Sequence, residues 1–398
     1  MFSFSHQNIF IVMKIKYILF LALFGFSLTS CIKDEVDTIT KAYTDEEYTV
    51  LTKTLDLPVE ANEYSLELPP HLGSSRVNSN KHQATLGRVL FYDKKLSKNE
   101  TTSCASCHSP KKAFADGKAF SEGFEGKETK RNSLALGAFP SFNAYYGFGG
   151  TRMFWDERAA TVAEQSKLTI KDPVEMGNHN LDELADQLLQ IDYYKILFEK
   201  AYPPNNFNSQ LSNKDKMLQA IDAFVSSIGC FNTRFDEGWA SKGNAQSDFS
   251  NFTAQENRGK LLFNQNCAAC HNLGPGFSTT ITSANNGLDL IYDDKGRFEV
   301  THLEIDKGVF KVPMLRNVAL TAPYMHDGRF ETLEEVIEHY NSGVKNHPNL
   351  HPRLRDPLGN PKHLNLNQED KDALVAFLHT LTDTESIAQI KYTDPFKK

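Results

Sequence analysis

The amino-acid sequence predicts a mostly α-helical protein built from two similar halves. Apolar residues recur at helical spacing in several windows, whereas no window alternates polar and apolar residues over the length of a strand. A motif of two cysteines and a histidine occurs twice, and a similar apolar segment precedes each copy. The chain has 398 residues, which is enough for two ordinary domains.

Four windows carry the helical pattern, namely residues 85–91, 181–200, 217–228 and 369–381. We expect the first helix to end before Asp93, and the second to present Leu184, Leu188, Leu189 and Ile191 on one side. Long loops rich in Gly, Asn and Lys connect these windows.

The internal repeat divides the chain. Residues 86–91, LGRVLF, precede the first cysteine motif, and residues 258–263, RGKLLF, precede the second. A segment at residues 238–250 that is rich in Ser, Gly, Asn, Gln and Asp lies between the halves. We therefore predict a first domain at residues 81–245 and a second at residues 246–398.

The N-terminal segment is typical of an export signal. Lys14 and Lys16 precede an apolar run at residues 17–28, which is followed by small residues. This run is too short for a membrane span of about 20 residues. We predict that residues 1–31 are a signal peptide and that Met13 is the natural start.

Residues 28–31, LTSC, resemble a bacterial lipobox, in which the cysteine is lipidated after cleavage. Cys31 would then anchor the protein at the periplasmic side of the cell envelope, at the outer membrane. A plain secretory peptide in which Cys31 is incidental fits the same pattern. Residues 32–80 are acidic and weakly periodic, so we expect a tether followed by extended chain.

Composition and charge narrow the classes of partner. The hydrophobic content of 40% and charged content of 23% are typical of a soluble globular protein. The net charge of -7 gives no basic surface for a nucleic acid, so we predict no nucleic-acid partner. A mildly acidic surface is compatible with a small basic protein.

Residues 104–108, CASCH, and 267–271, CAACH, both have the Cys-x-x-Cys-His signature of c-type haem attachment. Thiols three positions apart can reach the two vinyl groups on one haem edge, and the next residue, His108 or His271, offers its imidazole to iron. The attachment cysteines are Cys104, Cys107, Cys267 and Cys270. A zinc site formed by these cysteines, or two disulfides, are the alternatives, but neither needs a histidine after both pairs. Cys230 lies in an apolar run and is expected to be a buried core thiol.

Further segments occur in a fixed order, namely residues 86–97, 131–133, 154–158, 164–165, 172–176 and 315–328. With them the chain closely resembles the bacterial dihaem cytochrome c peroxidase family, which includes the MauG-type enzymes. The resemblance runs from about residue 85 to residue 382, and its segment LRNVALTAPYMHDG is highly specific. The family implies two cytochrome c-like domains with their haems near the domain interface.

The resemblance also implies roles for single residues. The haem on His108 should be peroxidatic and the haem on His271 should transfer electrons. Trp155 matches a tryptophan between the haems, although a core aromatic is the simpler interpretation of the residue alone. Glu175 matches the distal acid, which can take a proton from bound peroxide and return it to the leaving oxygen, and Gln165 matches its distal-side partner. Without the resemblance, Glu175 would be an ordinary exposed acid.

Asn132, Thr321 and Pro323 match positions that hold a calcium ion between the domains in the family. Their oxygen atoms suit this hard cation. Ordinary loop residues are an equally good interpretation, because these few residues supply only part of a coordination shell.

The sequence departs from the family at two ligand positions. Phe124, in the loop SEGFEG, stands where bis-His members carry a second histidine ligand, and phenylalanine cannot bind iron. His179 could replace that ligand. The usual Met ligand of the second haem falls on Tyr340, which shares a helical face with Leu333, Val336 and Ile337, and haem iron does accept tyrosine. The rival ligands are Met325, Met314 and His339.

The family implies reduction of hydrogen peroxide to water with electrons from a small donor protein, either a cytochrome c or a cupredoxin. The first alternative is a MauG-like oxidase that uses peroxide to oxidise a partner protein. The second is a non-catalytic electron carrier or peroxide sensor. We also expect a homodimer, and membrane contact only through the lipid anchor.

We predict two covalent haems per chain. Denatured, extracted protein should keep a pyridine haemochrome spectrum equivalent to two haems, because thioether bonds survive denaturation. Replacing Cys104 and Cys107 by Ala should remove one haem, and replacing Cys267 and Cys270 should remove the other. Zinc without covalent haem would contradict this prediction.

Overall fold

The computed structural model describes residues 41–72, 76–137, 152–271, 273 and 282–398. Residues 1–40, with the predicted export signal and Cys31, lie outside the described residues. The α-helices are α1 (Asp45–Leu51), α2 (Lys81–Tyr92), α3 (Cys104–Cys107), α4 (Val162–Lys171), α5 (Leu181–Leu188), α6 (Asp192–Ala201), α7 (Asn213–Val225), α8 (Arg234–Lys242), α9 (Ala254–Asn266), α10 (Phe298–Thr301), α11 (Leu333–Glu338), α12 (Gln368–His379) and α13 (Thr384–Ile387).

Two small antiparallel sheets complete the fold of the described residues. Strand β1 (Leu66–Glu67) pairs with β2 (Arg76–Val77), and β3 (Ser283–Ala284) pairs with β4 (Phe310–Lys311). The prediction of a mostly α-helical protein is therefore confirmed. Among the described helices, none combines the length and the apolar character that a membrane crossing requires.

The window at residues 181–200 forms two helices rather than one. Asn180 caps α5 by accepting a hydrogen bond from the Glu183 backbone N–H, and the chain turns after Leu188 before α6 begins at Asp192. This break lets Leu184 and Leu188 of α5 and Tyr194 and Leu197 of α6 all be buried in the same core. The prediction of one continuous helix was wrong, because it counted apolar spacing across a turn that the core requires.

The internal repeat corresponds to a repeated helix crossing. In the first half α2 packs against α7, and in the second half α9 packs against α12. A Cβ atom at Gly87 would lie 1.8 Å from the carbonyl oxygen of Ala220, and one at Gly259 would lie 1.8 Å from that of Ala373. In both halves the helices thus meet backbone to backbone, at a position where only glycine fits.

Three apolar clusters lie inside the described chain. The first core is centred on α2, α6 and α7, and the second on α8, α9 and α12. A smaller cluster contains Trp155, Leu288, Tyr292 and Phe310, with Met325 packed against it. Because it takes Trp155 from the first half and the other residues from the second, this third cluster joins the two halves.

The extension before the first repeat is folded from residue 41 onward. Thr44 caps α1 in a capping box with Glu47, and Tyr43, Leu51 and Tyr64 are buried in the first core. The tether expected in the first part of residues 32–80 lies at least partly outside the described residues, whereas from residue 41 the chain contains a helix and packs on the first core. The apolar residues of this segment contact helices that lie far along the chain, so local periodicity did not reveal them.

Several residues pack in the core of the half that lies on the other side of the boundary predicted at residues 245 and 246. Phe235 and Trp239 of α8 belong to the second core. Ile387 and Tyr392, from the C-terminal tail, belong to the first core, and the Arg88 side chain donates a hydrogen bond to the Thr393 carbonyl. The two halves thus exchange segments at this boundary.

The close crossing in the second half gives a stability prediction. Ala normally favours a helix over Gly by about 1 kcal/mol, but overpacking costs about 1–3 kcal/mol. Because the added methyl group of Gly259→Ala would meet backbone, we expect a lower Tm for the haem-loaded protein in thermal unfolding. Gln255→Ala, at an exposed position of α9, is the matched control and should change the free energy of unfolding by about 0.5 kcal/mol or less. An unchanged Tm for Gly259→Ala would contradict the crossing.

Candidate haem and peroxide site

Both attachment motifs form one helical turn. In the first motif the His108 N–H donates to the Cys104 carbonyl at 3.0 Å, and in the second the His271 N–H donates to the Cys267 carbonyl at 3.0 Å. The second motif directly follows α9, whereas an eleven-residue excursion at residues 93–103 separates α2 from the first. In both cases the histidine is held beside its two cysteines.

The imidazoles are oriented for iron ligation. The His108 Nδ1 atom lies 2.8 Å from the Phe114 carbonyl oxygen and 3.3 Å from the Ser133 hydroxyl, and the His271 Nδ1 atom lies 3.0 Å from the Pro313 carbonyl oxygen. A carbonyl only accepts, so Nδ1 carries the proton and Nε2 is left to bind a metal. Burial lowers the pKa of His108 and lowers that of His271 to about 4, which keeps both in the neutral, ligating form.

The alternatives to haem do not fit this geometry. Within the described residues, neither motif contains a disulfide. Across the same described residues, no three His, Cys, Asp or Glu side chains are grouped so that they could hold a metal ion, which argues against a shared zinc site. Two thiols and one oriented imidazole in each half fit covalently bound haem.

Glu175 follows α4 in a tight turn. The Asp172 carboxylate accepts the backbone N–H groups of Val174 and Glu175 at 2.8 and 3.0 Å. Burial raises the pKa of Glu175 to about 7, and the charge of Asp172 adds to this, whereas Thr169 and Arg158 oppose it. A carboxyl group with a pKa near neutrality can both accept and return a proton.

Glu175 lies near the first attachment motif and shares a contact with Gln165. Burial raises the pKa of Cys104 to about 12, and the charges of Cys107 and Glu175 contribute. The Gln165 side-chain amide donates to the Thr169 hydroxyl at 2.9 Å, and Thr169 also hydrogen-bonds Glu175. Sequence reasoning missed Thr169, although its spacing of four residues from Gln165 on α4 would have placed the two on one face.

Phe124 contacts the turn that carries Glu175. Its backbone N–H donates to the Glu175 carbonyl at 3.1 Å, and the Asn99 amide donates to the Phe124 carbonyl at 2.7 Å. A Cβ atom at Gly177 would lie 2.3 Å from the Phe124 ring, so the ring packs directly on that glycine. His179, the candidate replacement ligand, is exposed.

Trp155 lies between the two halves. Its indole N–H donates to the Asn132 carbonyl at 2.8 Å, and the next residue, Ser133, contacts the His108 imidazole. On its other side Trp155 packs with Phe310 in the third cluster, and Met325 packs against that cluster. The tryptophan thus connects the surroundings of the first motif with residues of the second half.

Buried ion pairs hold the halves together beside Trp155. Arg131 contacts Asp156 at 2.5 Å and Asp294 at 2.6 Å, and only 9% of its side chain is exposed. Arg297 pairs with Glu157, whose side chain is also buried. Removing one partner of such a buried pair would leave an uncompensated charge. Sequence reasoning identified the segments but not these pairs, because Arg131 and Asp294 are 163 positions apart and Arg297 and Glu157 are 140 positions apart.

Tyr340 faces the second motif. It lies in a π-helical turn, His339–Gly343, so the helix predicted through residue 340 ends as α-helix at Glu338. Burial raises the pKa of Tyr340 to about 12. The nearby Cys270 and Cys267 thiols also raise this pKa, whereas a hydrogen bond with Asn286 lowers it.

The rival ligands lie in different places around the second motif. The Asn286 amide nitrogen lies 3.4 Å from the Tyr340 hydroxyl and 3.6 Å from the Met325 sulfur. The His339 Nε2 atom lies 3.1 Å from the Asn286 carbonyl oxygen. Met314 directly follows Pro313, whose carbonyl contacts the His271 imidazole.

The three residues predicted to hold calcium take part in loop contacts. The Asn132 N–H donates to the His326 carbonyl at 2.8 Å, and its side-chain amide donates to the Lys118 carbonyl at 2.8 Å. The Thr321 hydroxyl donates to the Val318 carbonyl at 3.1 Å, and Pro323 follows a cis peptide bond. Calcium binding by these residues stays a prediction.

Comparison with known families and proteins agrees with this geometry. Residues 81–245 match the family model described as di-haem cytochrome c peroxidase, and residues 256–382 match the cytochrome c model. The chain is 31% identical to cytochrome c551 peroxidase of Pseudomonas aeruginosa, over 76% of this chain and 79% of that protein. It is 32% identical to the methylamine utilization protein MauG of Paracoccus denitrificans, over 75% of this chain and 88% of that protein.

A solved structure is also similar. It is a MauG-like protein associated with microbial copper homeostasis, with a TM-score of 0.65, 32% identity, and coverage of 80% of this chain and 94% of that one. The two oriented Cys-x-x-Cys-His motifs and these relatives agree. The chain belongs to the bacterial dihaem cytochrome c peroxidase and MauG family and is an oxidoreductase with c-type haem.

Proposed function

We propose that the protein reduces hydrogen peroxide to water, with electrons from a small donor protein. The observation that carries this proposal is the difference between the two haem sites. A half-buried carboxyl group with a pKa near 7, Glu175, lies near the first motif, whereas side chains that can bind iron, Tyr340 and Met325, gather beside the second. The first site is thus suited to proton transfer and the second to electron transfer.

Each haem, when bound through its cysteines and histidine, supplies an iron that exchanges electrons. Glu175 accepts a proton from the peroxide oxygen that binds and returns it to the oxygen that leaves. One hydrogen peroxide, two electrons and two protons thereby give two water molecules. Gln165 and Thr169 orient the Glu175 carboxyl group through the hydrogen bonds described above.

Trp155 is the proposed electron relay between the sites. Support comes from its contact with the carbonyl of Asn132, next to Ser133 and His108, and from its packing in the cluster that includes residues of the second half. The ion pairs of Arg131 and Arg297 hold this region in place. A relay needs a fixed separation between its partners, and buried ion pairs across the interface supply that constraint.

We also propose that the first iron is open to peroxide in the oxidised protein. Phe124 stands where other family members carry a second histidine ligand, and its ring packs on Gly177. His179, the other candidate, is exposed. Without a ligand to displace, no reductive activation step is needed before peroxide binds.

A MauG-like protein oxidase is the second candidate function. Tyr340 favours it, because an anionic phenolate ligand stabilises ferric iron and lowers the potential of the second haem relative to a Met ligand. A low potential would make electron withdrawal from a partner protein easier. The two functions differ in which group of the partner protein loses electrons: a peroxidase oxidises the redox centre of its donor, whereas the oxidase changes the side chains of its partner.

Further parts of the proposal rest on the sequence. Export by residues 1–31 and lipidation at Cys31 would hold the protein in the periplasm at the outer membrane. A cytochrome c or a cupredoxin is the proposed donor, and we also expect a homodimer. Calcium at Asn132, Thr321 and Pro323 is supported by the hydrogen bond that joins Asn132 to the His326 segment.

Steady-state peroxide consumption with a reduced small cytochrome c tests the proposed function. We expect peroxide-dependent oxidation of the donor, with two donor molecules oxidised for each peroxide. Trp155→Phe should keep the haem content and slow donor oxidation, because the relay is lost. Peroxide consumption that proceeds without donor oxidation, together with modified side chains on a partner protein, would support the MauG-like function instead.

Glu175→Gln tests the proton transfer. The variant should keep both haems yet react with peroxide about 10²–10⁴ times more slowly, the usual effect of a positioned acid–base group. In the native protein the pKa of Glu175 is about 7, so the carboxylate form needed to accept a proton is lost as pH falls below 7. The rate should therefore fall below pH 7, and Glu175→Gln should lose that dependence.

Glu199→Gln, which changes an exposed acid of α6, is the matched control and should behave as the native protein does. Native turnover in Glu175→Gln, with its pH profile unchanged, would return Glu175 to a structural role.

A further inference from the structure

One residue, Asn286, contacts three of the residues that could bind the second haem iron. Its amide nitrogen lies 3.4 Å from the Tyr340 hydroxyl oxygen and 3.6 Å from the Met325 sulfur. Its backbone carbonyl oxygen lies 3.1 Å from the His339 Nε2 atom. Each rival ligand is therefore held by a different kind of contact with the same residue.

The backbone around Asn286 is fixed from both sides. The side chain of Asn285, which is buried, accepts the Gly287 N–H at 2.9 Å, and the His351 N–H donates to the Asn285 carbonyl at 3.0 Å. The Gly287 carbonyl accepts the Lys345 N–H at 2.8 Å. Gly287 has a φ of +68°, and a Cβ atom there would lie 2.8 Å from the Lys345 carbonyl oxygen. Asn286 thus presents its amide from a segment that cannot easily move.

We propose that Asn286 is a positioning residue that selects Tyr340 as the sixth ligand of the second haem iron and withholds Met325 and His339. This inference rests on the proposed electron-transfer role of the second site and names the residue that sets its ligation. The inference concerns which of Tyr340, Met325 and His339 binds the second haem iron.

The three contacts affect the rivals unequally. An amide N–H donated to an oxygen that carries negative charge is stronger than one donated to a neutral group, so the contact with Tyr340 gains when the phenolate binds iron. A thioether sulfur is a weak acceptor, so the contact with Met325 gains little. The Asn286 carbonyl can only accept, so His339 carries its proton on Nε2 and that nitrogen is not available for iron.

Two substitutions remove the amide donor in different ways. Asn286→Leu replaces the amide with an apolar group of similar size, and Asn286→Ser leaves a side chain too short to reach Tyr340. In both haem-loaded variants we expect loss of the phenolate–iron bands in resonance Raman spectra of the oxidised protein. We also expect a new near-infrared absorption typical of a thioether ligand, and a rise in the midpoint potential of the second haem. Asn286→Gln, which keeps an amide donor, should restore the phenolate bands at least in part.

Met325→Leu is the control. On its own it should leave the phenolate bands unchanged, and combined with Asn286→Leu it should remove the new near-infrared absorption. Phenolate bands that persist at native intensity in both Asn286→Leu and Asn286→Ser would overturn the inference. It would also be overturned if the native protein showed no phenolate bands and its spectrum changed on the substitution Met325→Leu. Peroxide turnover is not used in this test, so its absence would contradict the proposed function and leave the ligand assignment intact.

Discussion

Each half of the chain depends on a helix crossing so close that only glycine fits. Gly87 meets the backbone of Ala220, and Gly259 meets the backbone of Ala373. A Cβ atom added to either glycine would lie 1.8 Å from the carbonyl oxygen of the facing alanine. The helix that carries each glycine leads to an attachment motif, so the crossing fixes where the two thiols and the histidine stand. Carbonyls of distant loops then orient His108 and His271 through Nδ1.

On this repeated framework the two sites differ in the residues that line them. The first has a half-buried carboxyl group, Glu175, and a phenylalanine where a ligand stands in other family members. The second has Tyr340 and Met325, both within reach of the Asn286 amide. Two nearly equivalent folds thereby receive different chemistry, and Trp155 lies where the two halves meet.

The sequence predicted the features that depend on short spacing. The attachment motifs, the C-terminal end of α2 and the repeat all depend on residues that lie close together in the chain. Helix α2 ends at Tyr92, before Asp93, as predicted, although it begins at Lys81 rather than at residue 85. Features that depend on distant contacts were missed or wrong. The folded segment from residue 41, the exchange of Tyr392 into the first core, the pairs of Arg131 and the position of Asn286 all need contacts between remote segments. The π-helical turn at Tyr340 likewise has no local signal.

Electron paramagnetic resonance of the fully oxidised, haem-loaded protein tests the central claim, that the two sites differ and the first is open. We expect one high-spin ferric signal from the haem on His108 and one low-spin signal from the haem on His271. The high-spin signal should persist in His179→Ala. Two low-spin signals, one of which turns high-spin in His179→Ala, would contradict the account by showing that a ligand closes the first iron after all.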